Sequence, residues 1–295
     1  MKLNFATIPN GESLAYRESE SGHRPLILVH GNYSSSAHMD VFFENLPSNF
    51  KLIAPDLRGF GDSTYHTPID SLKDFADDLK AFMDRIGLAK ADFLGWSLGG
   101  GVVLQLAADY PEVVQKSVVI GSVGIKGYPL YQFDKNMEPT DKRIASKEAI
   151  EKDPVIARPA LRIYEAKDKE ALKQLFKNAI FTQTMPSDER FERYAEATFK
   201  QRNLIDADYA LTAFNMSHEH NGVTEGSGKI DAVRGPVLVI QGKEDRIVSE
   251  DQYASIREGL GAKGEYIEFK ESGHAPMFDE KDAFFRAVTE FLDRT

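Results

Sequence analysis

Short continuous apolar runs recur toward both ends of the chain: Leu26-Ile27-Leu28-Val29, Leu52-Ile53-Ala54, Phe93-Leu94, Val118-Val119-Ile120, Val237-Leu238-Val239-Ile240 and Tyr266-Ile267-Glu268-Phe269. Runs this short and without strict alternation predict strands covered on both faces, as in a parallel sheet. Ahead of them Lys2 to Ile8 alternates in polarity, Pro9-Asn10-Gly11 turns the chain, and Ser13 to Arg17 follows. An Asn-Gly between two such stretches predicts a hairpin. Between the runs, Leu72, Phe75, Ala76, Leu79, Phe82, Met83 and Ile86 recur at helical spacing, with Ser71 as N-cap, Asp74 in the first turn and Gly87 at the end. Phe284, Phe285, Val288, Phe291 and Leu292 form a similar face in a last helix. Strands alternating with helices predict an α/β fold with a doubly wound, mostly parallel sheet.

That rhythm breaks between about Ser122 and Arg234, a stretch rich in charge and aromatics. Its clearest helical patterns, Ala157 to Lys177, Asp188 to Phe199 and Asp206 to Met216, are not separated by strand-like runs. The expected organisation is a core of residues 1–121, a mainly helical cap insertion of residues 122–234, and a return to the core over residues 235–295. The return begins at Gly235-Pro236-Val237.

One junction carries chemistry. Ala91-Asp92-Phe93-Leu94 leads into Gly95-Trp96-Ser97-Leu98-Gly99, and Gly100-Gly101-Val102-Val103-Leu104 leads out. A strand, a sharp turn with serine at its apex and a helix make the setting of a nucleophile elbow. The flanking glycines let strand and helix pass closely while Ser97 holds a strained conformation. A serine hydroxyl needs a histidine base, and the base needs a carboxylate to hold its tautomer. In α/β architectures these follow the serine in the order acid, then histidine, on loops after strands. Asp245 stands in the loop after Val237 to Ile240, and His274 in the loop after Tyr266 to Phe269. Glu244 is an alternative acid beside Asp245, and Glu225 a more distant one. Among the seven histidines, only His274 follows Asp245. A tetrahedral intermediate also calls for two backbone N–H donors. Leu98, at the helix start, offers one. Asn32, in the loop Val29-His30-Gly31-Asn32-Tyr33, offers the other, and its side-chain amide either assists or holds the loop.

Together, His30-Gly31, Asp56-Leu57-Arg58-Gly59-Phe60-Gly61-Asp62-Ser63, Gly95-Trp96-Ser97-Leu98-Gly99, Gly242 with Asp245, and Ser272-Gly273-His274 resemble the α/β-hydrolase fold superfamily in a form with an inserted cap. The resemblance covers about residues 1–121 and 235–295. It implies a triad of Ser97, Asp245 and His274, an oxyanion hole from Asn32 and Leu98, and a structural role for the loop holding Arg58 and Asp62. Haloalkane dehalogenases and epoxide hydrolases are similar in sequence but carry an aspartate nucleophile where this chain has Ser97. Leu98 also differs from the tryptophan expected after the dehalogenase nucleophile.

Composition narrows the partners. The 295 residues carry a net charge of −10, with 42% hydrophobic and 28% charged residues. An acidic chain of this kind argues against nucleic acid or an anionic membrane as partner. No apolar run approaches a membrane span and the N-terminus lacks a signal-peptide h-region, so a cytoplasmic enzyme is expected. The absence of cysteine excludes thiol nucleophiles and cysteine metal sites. His218-Glu219-His220 lacks the convergent ligands of a metal site, and Gly99-Gly100-Gly101 lacks the Lys-Ser/Thr of a phosphate loop. No cofactor and no metal are expected.

The expected reaction is hydrolysis of a small or medium carboxylic ester or lactone through an acyl-enzyme on Ser97. The same triad also suits C–C bond hydrolysis or a lyase, the fold hosts cofactor-free oxygen chemistry, and a slow-turnover ligand receptor would share these motifs. For the substrate pocket, Tyr33, Tyr128, Tyr131, Phe214 and Met216 are the expected lining residues. Trp96 faces either the pocket or the core.

Overall fold

The computed structural model describes residues 2–134 and 136–294. The alternating N-terminal segment forms β1 (Leu3–Thr7) and β2 (Ser13–Glu18), an antiparallel hairpin paired from Leu3 with Arg17 to Thr7 with Ser13. The apolar runs that follow are β3 (Arg24–Val29), β4 (Phe50–Pro55), β5 (Ala91–Trp96) and β6 (Val114–Ile120). Their connections carry α1 (Asp40–Asn45), α2 (Leu72–Arg85) and α3 (Leu98–Asp109). The start of α2 is set where its sequence indicates: Ser71 N–H donates to the Asp74 carboxylate at 2.8 Å, satisfying a donor the helix leaves free.

Between β6 and the next sheet strand the described residues form a two-stranded hairpin, β7 (Tyr131–Phe133) with β8 (Pro139–Arg143), and five α-helices. These are α4 (Lys147–Glu151), α5 (Ala157–Ala166), α6 (Lys169–Ala179), α7 (Asp188–Thr198) and α8 (Leu204–Ala213). The chain then completes the sheet with β9 (Val237–Gly242) and β10 (Gly264–Phe269), accompanied by α9 (Glu250–Leu260), α10 (Pro276–Asp279) and α11 (Lys281–Asp293).

The eight-stranded sheet runs β1-β2-β4-β3-β5-β6-β9-β10. Only the β1–β2 and β2–β4 pairs are antiparallel. Successive residues of one strand enter opposite cores. Ile27, Val29 and Phe93 pack with α2, α3 and α9 on one face, while Leu26, Leu28 and Leu94 pack with α1 and α11 on the other. Double coverage is why these strands are apolar without interruption. Among the described residues no helix is long and apolar enough to cross a membrane.

One expectation for residues 122–234 is corrected. The helical stretch from Ala157 to Lys177 is two helices, because Lys167 turns left-handed (φ 48°) and the Asp168 side chain caps the next helix by accepting from Ala171 N–H at 3.0 Å. The segment also contains the β7–β8 hairpin. Neither of its strands holds a fully buried residue, so no apolar alternation marked it.

Candidate active site

Ser97 leaves β5 and enters α3 at φ 57° and ψ −119°, a backbone region that costs a non-glycine residue about 1–3 kcal/mol. The surroundings hold it there. Ser97 N–H donates to the Ile120 carbonyl at 2.8 Å, and the Ser97 carbonyl accepts from Gly100 N–H at 2.9 Å. Backbones meet without intervening side chains. A Cβ at Gly95 would lie 2.3 Å from the Gly99 carbonyl oxygen, and one at Gly99 would lie 2.3 Å from that of Val29.

The second contact brings the end of β3 and its loop beside the serine. A Cβ on Gly31 would stand 3.0 Å from Ser97 Cβ and 3.6 Å from its Oγ. Asn32 follows. Its side chain is a clamp on the loop: Oδ1 accepts from Tyr33 N–H at 3.0 Å and from Gln201 Nε2 at 2.8 Å, and Nδ2 donates to Asp208 Oδ1 at 2.9 Å. Tyr33 takes a left-handed φ of 56°. Among the hydrogen bonds of the described residues, neither Asn32 N–H nor Leu98 N–H donates to a partner. Two backbone donors are thus left free beside Ser97, the arrangement an oxyanion hole uses.

The expected acid and base, Asp245 and His274, stand on the loops after β9 and β10. His274 Nδ1 lies 2.9 Å from Asp245 Oδ2, and the two side chains are only 2% and 1% exposed. Asp245 is held on all sides: Oδ1 accepts from Ile247 and Val248 N–H at 2.8 and 3.0 Å, and Oδ2 also accepts from the Tyr253 hydroxyl at 3.1 Å. Burial pushes the Asp245 carboxyl up, but the His274 charge and these hydrogen bonds outweigh it, so the carboxyl lies below its ordinary value. An ionised Asp245 can only accept, which places the proton on His274 Nδ1 and leaves Nε2 free to act as a base. Glu244 and Glu225 are both exposed, and neither bonds to His274. Trp96 Nε1 donates to the His274 carbonyl at 2.9 Å, which fixes the loop carrying the imidazole.

Ser97, His274, Asn32, Tyr33 and Trp96 share the wall of one cavity of about 230 Å³. Tyr128, Leu130, Ile156, Leu175, Ile180 and Leu211 close it from the inserted segment. Tyr33 and Tyr128 are therefore where sequence reasoning places them. Tyr131, Phe214 and Met216 are not in this wall. Tyr131 is 38% exposed on β7. Phe214 and Met216 belong to the hydrophobic core shared with α2 and α3, and the Phe214 ring reaches within 3.5 Å of where Gly101 would carry a Cβ. They follow the last turn of α8, where the chain dives back toward the sheet, so their apolar side chains are spent on packing.

Other singled-out residues have structural partners. Arg58 pairs with Asp78 at 2.6 Å in the core, and Asp62 accepts from Lys200 at 2.7 Å. His218 faces Asp231 at 3.2 Å and Glu219 pairs with Lys126 at 2.6 Å, both at the surface. Sequence reasoning missed Asp208, Gln201 and Tyr164. The Tyr164 hydroxyl donates to Gln201 Oε1 at 3.0 Å, continuing the chain of bonds that ends at Asn32 and Asp208. The available signal was an aspartate in the mostly apolar stretch from Leu204 to Ala213.

Residues 24–281 match the model of the α/β hydrolase fold family. The chain belongs to that family. This α/β-hydrolase fold protein is also similar to solved structures of the same fold. An esterase from Exiguobacterium antarcticum superposes at a TM-score of 0.74 with 17% identity, covering 99% of both chains. An enol-lactonase from Burkholderia xenovorans LB400 superposes at 0.72 with 18% identity, covering 99% of this chain and 100% of the other. In sequence it is 25% identical over 274 residues to a 2-hydroxy-6-oxo-6-phenylhexa-2,4-dienoate hydrolase of Burkholderia cepacia, 90% of this chain and 87% of that protein.

Proposed function

We propose that this α/β hydrolase is a serine hydrolase that cleaves a small or medium carboxylic ester or lactone through an acyl-enzyme on Ser97. The observation that carries the reading is the buried His274–Asp245 pair in the same cavity wall as a serine held on a strained strand-to-helix turn. His274 Nε2 takes the Ser97 proton as Oγ attacks the carbonyl carbon, a contact that closes when substrate fills the cavity. Asp245 holds the imidazole in the required tautomer and stabilises its charged form. The free N–H groups of Asn32 and Leu98 receive the oxyanion. His274 then returns its proton to the leaving alcohol and activates the water that hydrolyses the acyl-enzyme. No metal or cofactor enters these steps. Residues 122–234 act as the cap that gives the cavity its apolar wall.

A second reading is C–C bond hydrolysis on the same three residues, favoured by the likeness to the dienoate hydrolase. A dienoate is a carboxylate, however, and among the described lining residues there is no lysine or arginine to receive one. The ester reading is therefore preferred.

The test is labelling with a fluorophosphonate and measurement of intact mass. A single adduct on the wild type and none on Ser97→Ala is expected, together with an acyl-enzyme burst on activated esters. An adduct of equal yield on both proteins would move the nucleophile elsewhere. Turnover of a vinylogous diketone without ester turnover would favour the C–C reading.

A further inference from the structure

The cavity wall contains an acid that the chemistry of Ser97 does not use. Asp208 sits on α8, 6% exposed, in a wall whose other residues are mostly apolar or aromatic. Oδ1 accepts from Asn32 Nδ2 at 2.9 Å, while Oδ2 has no hydrogen-bond partner among the described residues. The titratable groups around it are Tyr33, Tyr128 and Tyr164, phenols kept protonated by burial and by the nearby carboxyl. Apart from Asp208, His274, Tyr33 and Tyr128, no described lining residue has a titratable side chain.

An anion entering this cavity loses its water, finds no cation to replace it, and meets a carboxyl whose own ionisation adds repulsion. An uncharged chain of the same length loses little and gains apolar contact. We propose that Asp208 sets the charge specificity of the cavity, admitting uncharged acyl and alkoxy groups and turning away those that carry a carboxylate. The selectivity has a structural complement. Asp208 is already anchored by the Asn32 amide, so the carboxyl is held in the wall rather than free to swing into solvent. Burial pushes this carboxyl up to about 7, partly offset by the Asn32 hydrogen bond, so above neutrality the wall itself is negative. The inference rests on the reading of this cavity as the substrate site of a serine hydrolase.

The experiment separates the two ideas by measuring binding where no turnover occurs. Ser97→Ala protein is titrated calorimetrically at pH 8 with hexanamide and with the monoamide of adipic acid, which differs by a terminal carboxylate. The amide should bind at least tenfold more tightly, and adding Asp208→Asn should shrink that ratio at least fivefold. Equal binding of the two ligands, binding of neither, or a ratio unchanged by Asp208→Asn would each overturn the proposal. The Ser97→Ala protein with Asp208 intact decides the first two outcomes, so the conclusion does not hinge on folding of the Asp208 variant. Ser97-dependent hydrolysis of 4-nitrophenyl hexanoate is measured in parallel. Its absence, with selective binding retained, would overturn the catalytic reading and leave the charge selectivity standing.

Discussion

Asn32 Nδ2 donates to Asp208 Oδ1 across 2.9 Å, tying the loop that follows β3 to α8 of the inserted segment. The bond joins two parts of the chain separated by 176 positions. Both polar atoms of the Asn32 side chain are engaged in holding the loop, while its backbone N–H has no partner among the hydrogen bonds of the described residues. A residue proposed to stabilise charge with its main chain thus holds the loop with its side chain.

Asn32→Ala should therefore act on both stability and rate. The change strands Gln201 Nε2 and Asp208 Oδ1, each buried, at a cost of about 1–3 kcal/mol. It also releases the left-handed Tyr33 turn that places the loop, so Ser97-dependent kcat should fall by roughly tenfold. Urea unfolding and steady-state kinetics on an activated ester check the two effects. A variant as stable and as active as the wild type would show that the clamp does nothing.

Asp245→Asn should leave the fold in place and remove turnover by a factor on the order of 10⁴, because the amide no longer holds the imidazole in its working tautomer. The carboxyl lies below its ordinary value in the folded protein. Its ionised form thus contributes stability that is present above the unfolded value of about 3.9 and is lost as pH falls through the folded value. The difference in Tm between wild type and Asp245→Asn should accordingly be largest near neutrality and close in acid. Calorimetric scans from pH 3 to pH 8 measure it.

Asp208 should show the opposite dependence. Its carboxyl is pushed up to about 7 by burial, so the folded protein holds a proton that the unfolded chain releases near pH 4. Stability from this group is fully present below the unfolded value and is lost as pH rises toward 7. Asp208→Asn, neutral at every pH, should therefore gain on the wild type across that interval, by an amount on the order of 4 kcal/mol at pH 8. Denaturant midpoints at pH 4.5 and pH 8 give the comparison. A gap that does not widen with pH would mean that Asp208 is ionised throughout.

Phe214→Ala and Leu211→Ala should separate packing from recognition. Phe214 is core, so its truncation should cost about 3–5 kcal/mol and leave the preference for acyl length on activated esters where it was. Leu211 lines the cavity, and its truncation should move that preference toward longer chains. A panel of 4-nitrophenyl esters from acetate to decanoate reads both.

Much of the core was legible because local rules and global packing agree there. The central strands β3, β4, β5, β6 and β9 are buried on both faces along their apolar runs, and a doubly buried run has to be apolar, whereas the edge strand β10 buries only Phe269 fully. Ser71 and Asp74 mark the start of α2 by the chemistry of helix ends. Ser97, Asp245 and His274 stood out because each follows a strand on a loop at the same edge of the sheet. The inserted segment obeys weaker rules. The β7–β8 hairpin buries almost nothing and left no pattern, and Lys167 splits a helical stretch that periodicity reads as one. Tyr131, Phe214 and Met216 share the aromatic or apolar character of Tyr33 and Tyr128, yet only packing separates a cavity wall from a core.

The sequence by itself determined the sheet, the elbow and the order of acid and base, since these follow from periodicity, turn chemistry and chain order. The tertiary structure decided which side chains meet in the cavity. Asp208 is separated from Asn32 by most of the chain, and nothing local to either residue announces the other. Burial is a property of the assembled molecule, and burial is what places an aspartate with an unpartnered carboxyl oxygen in the wall that also holds Ser97.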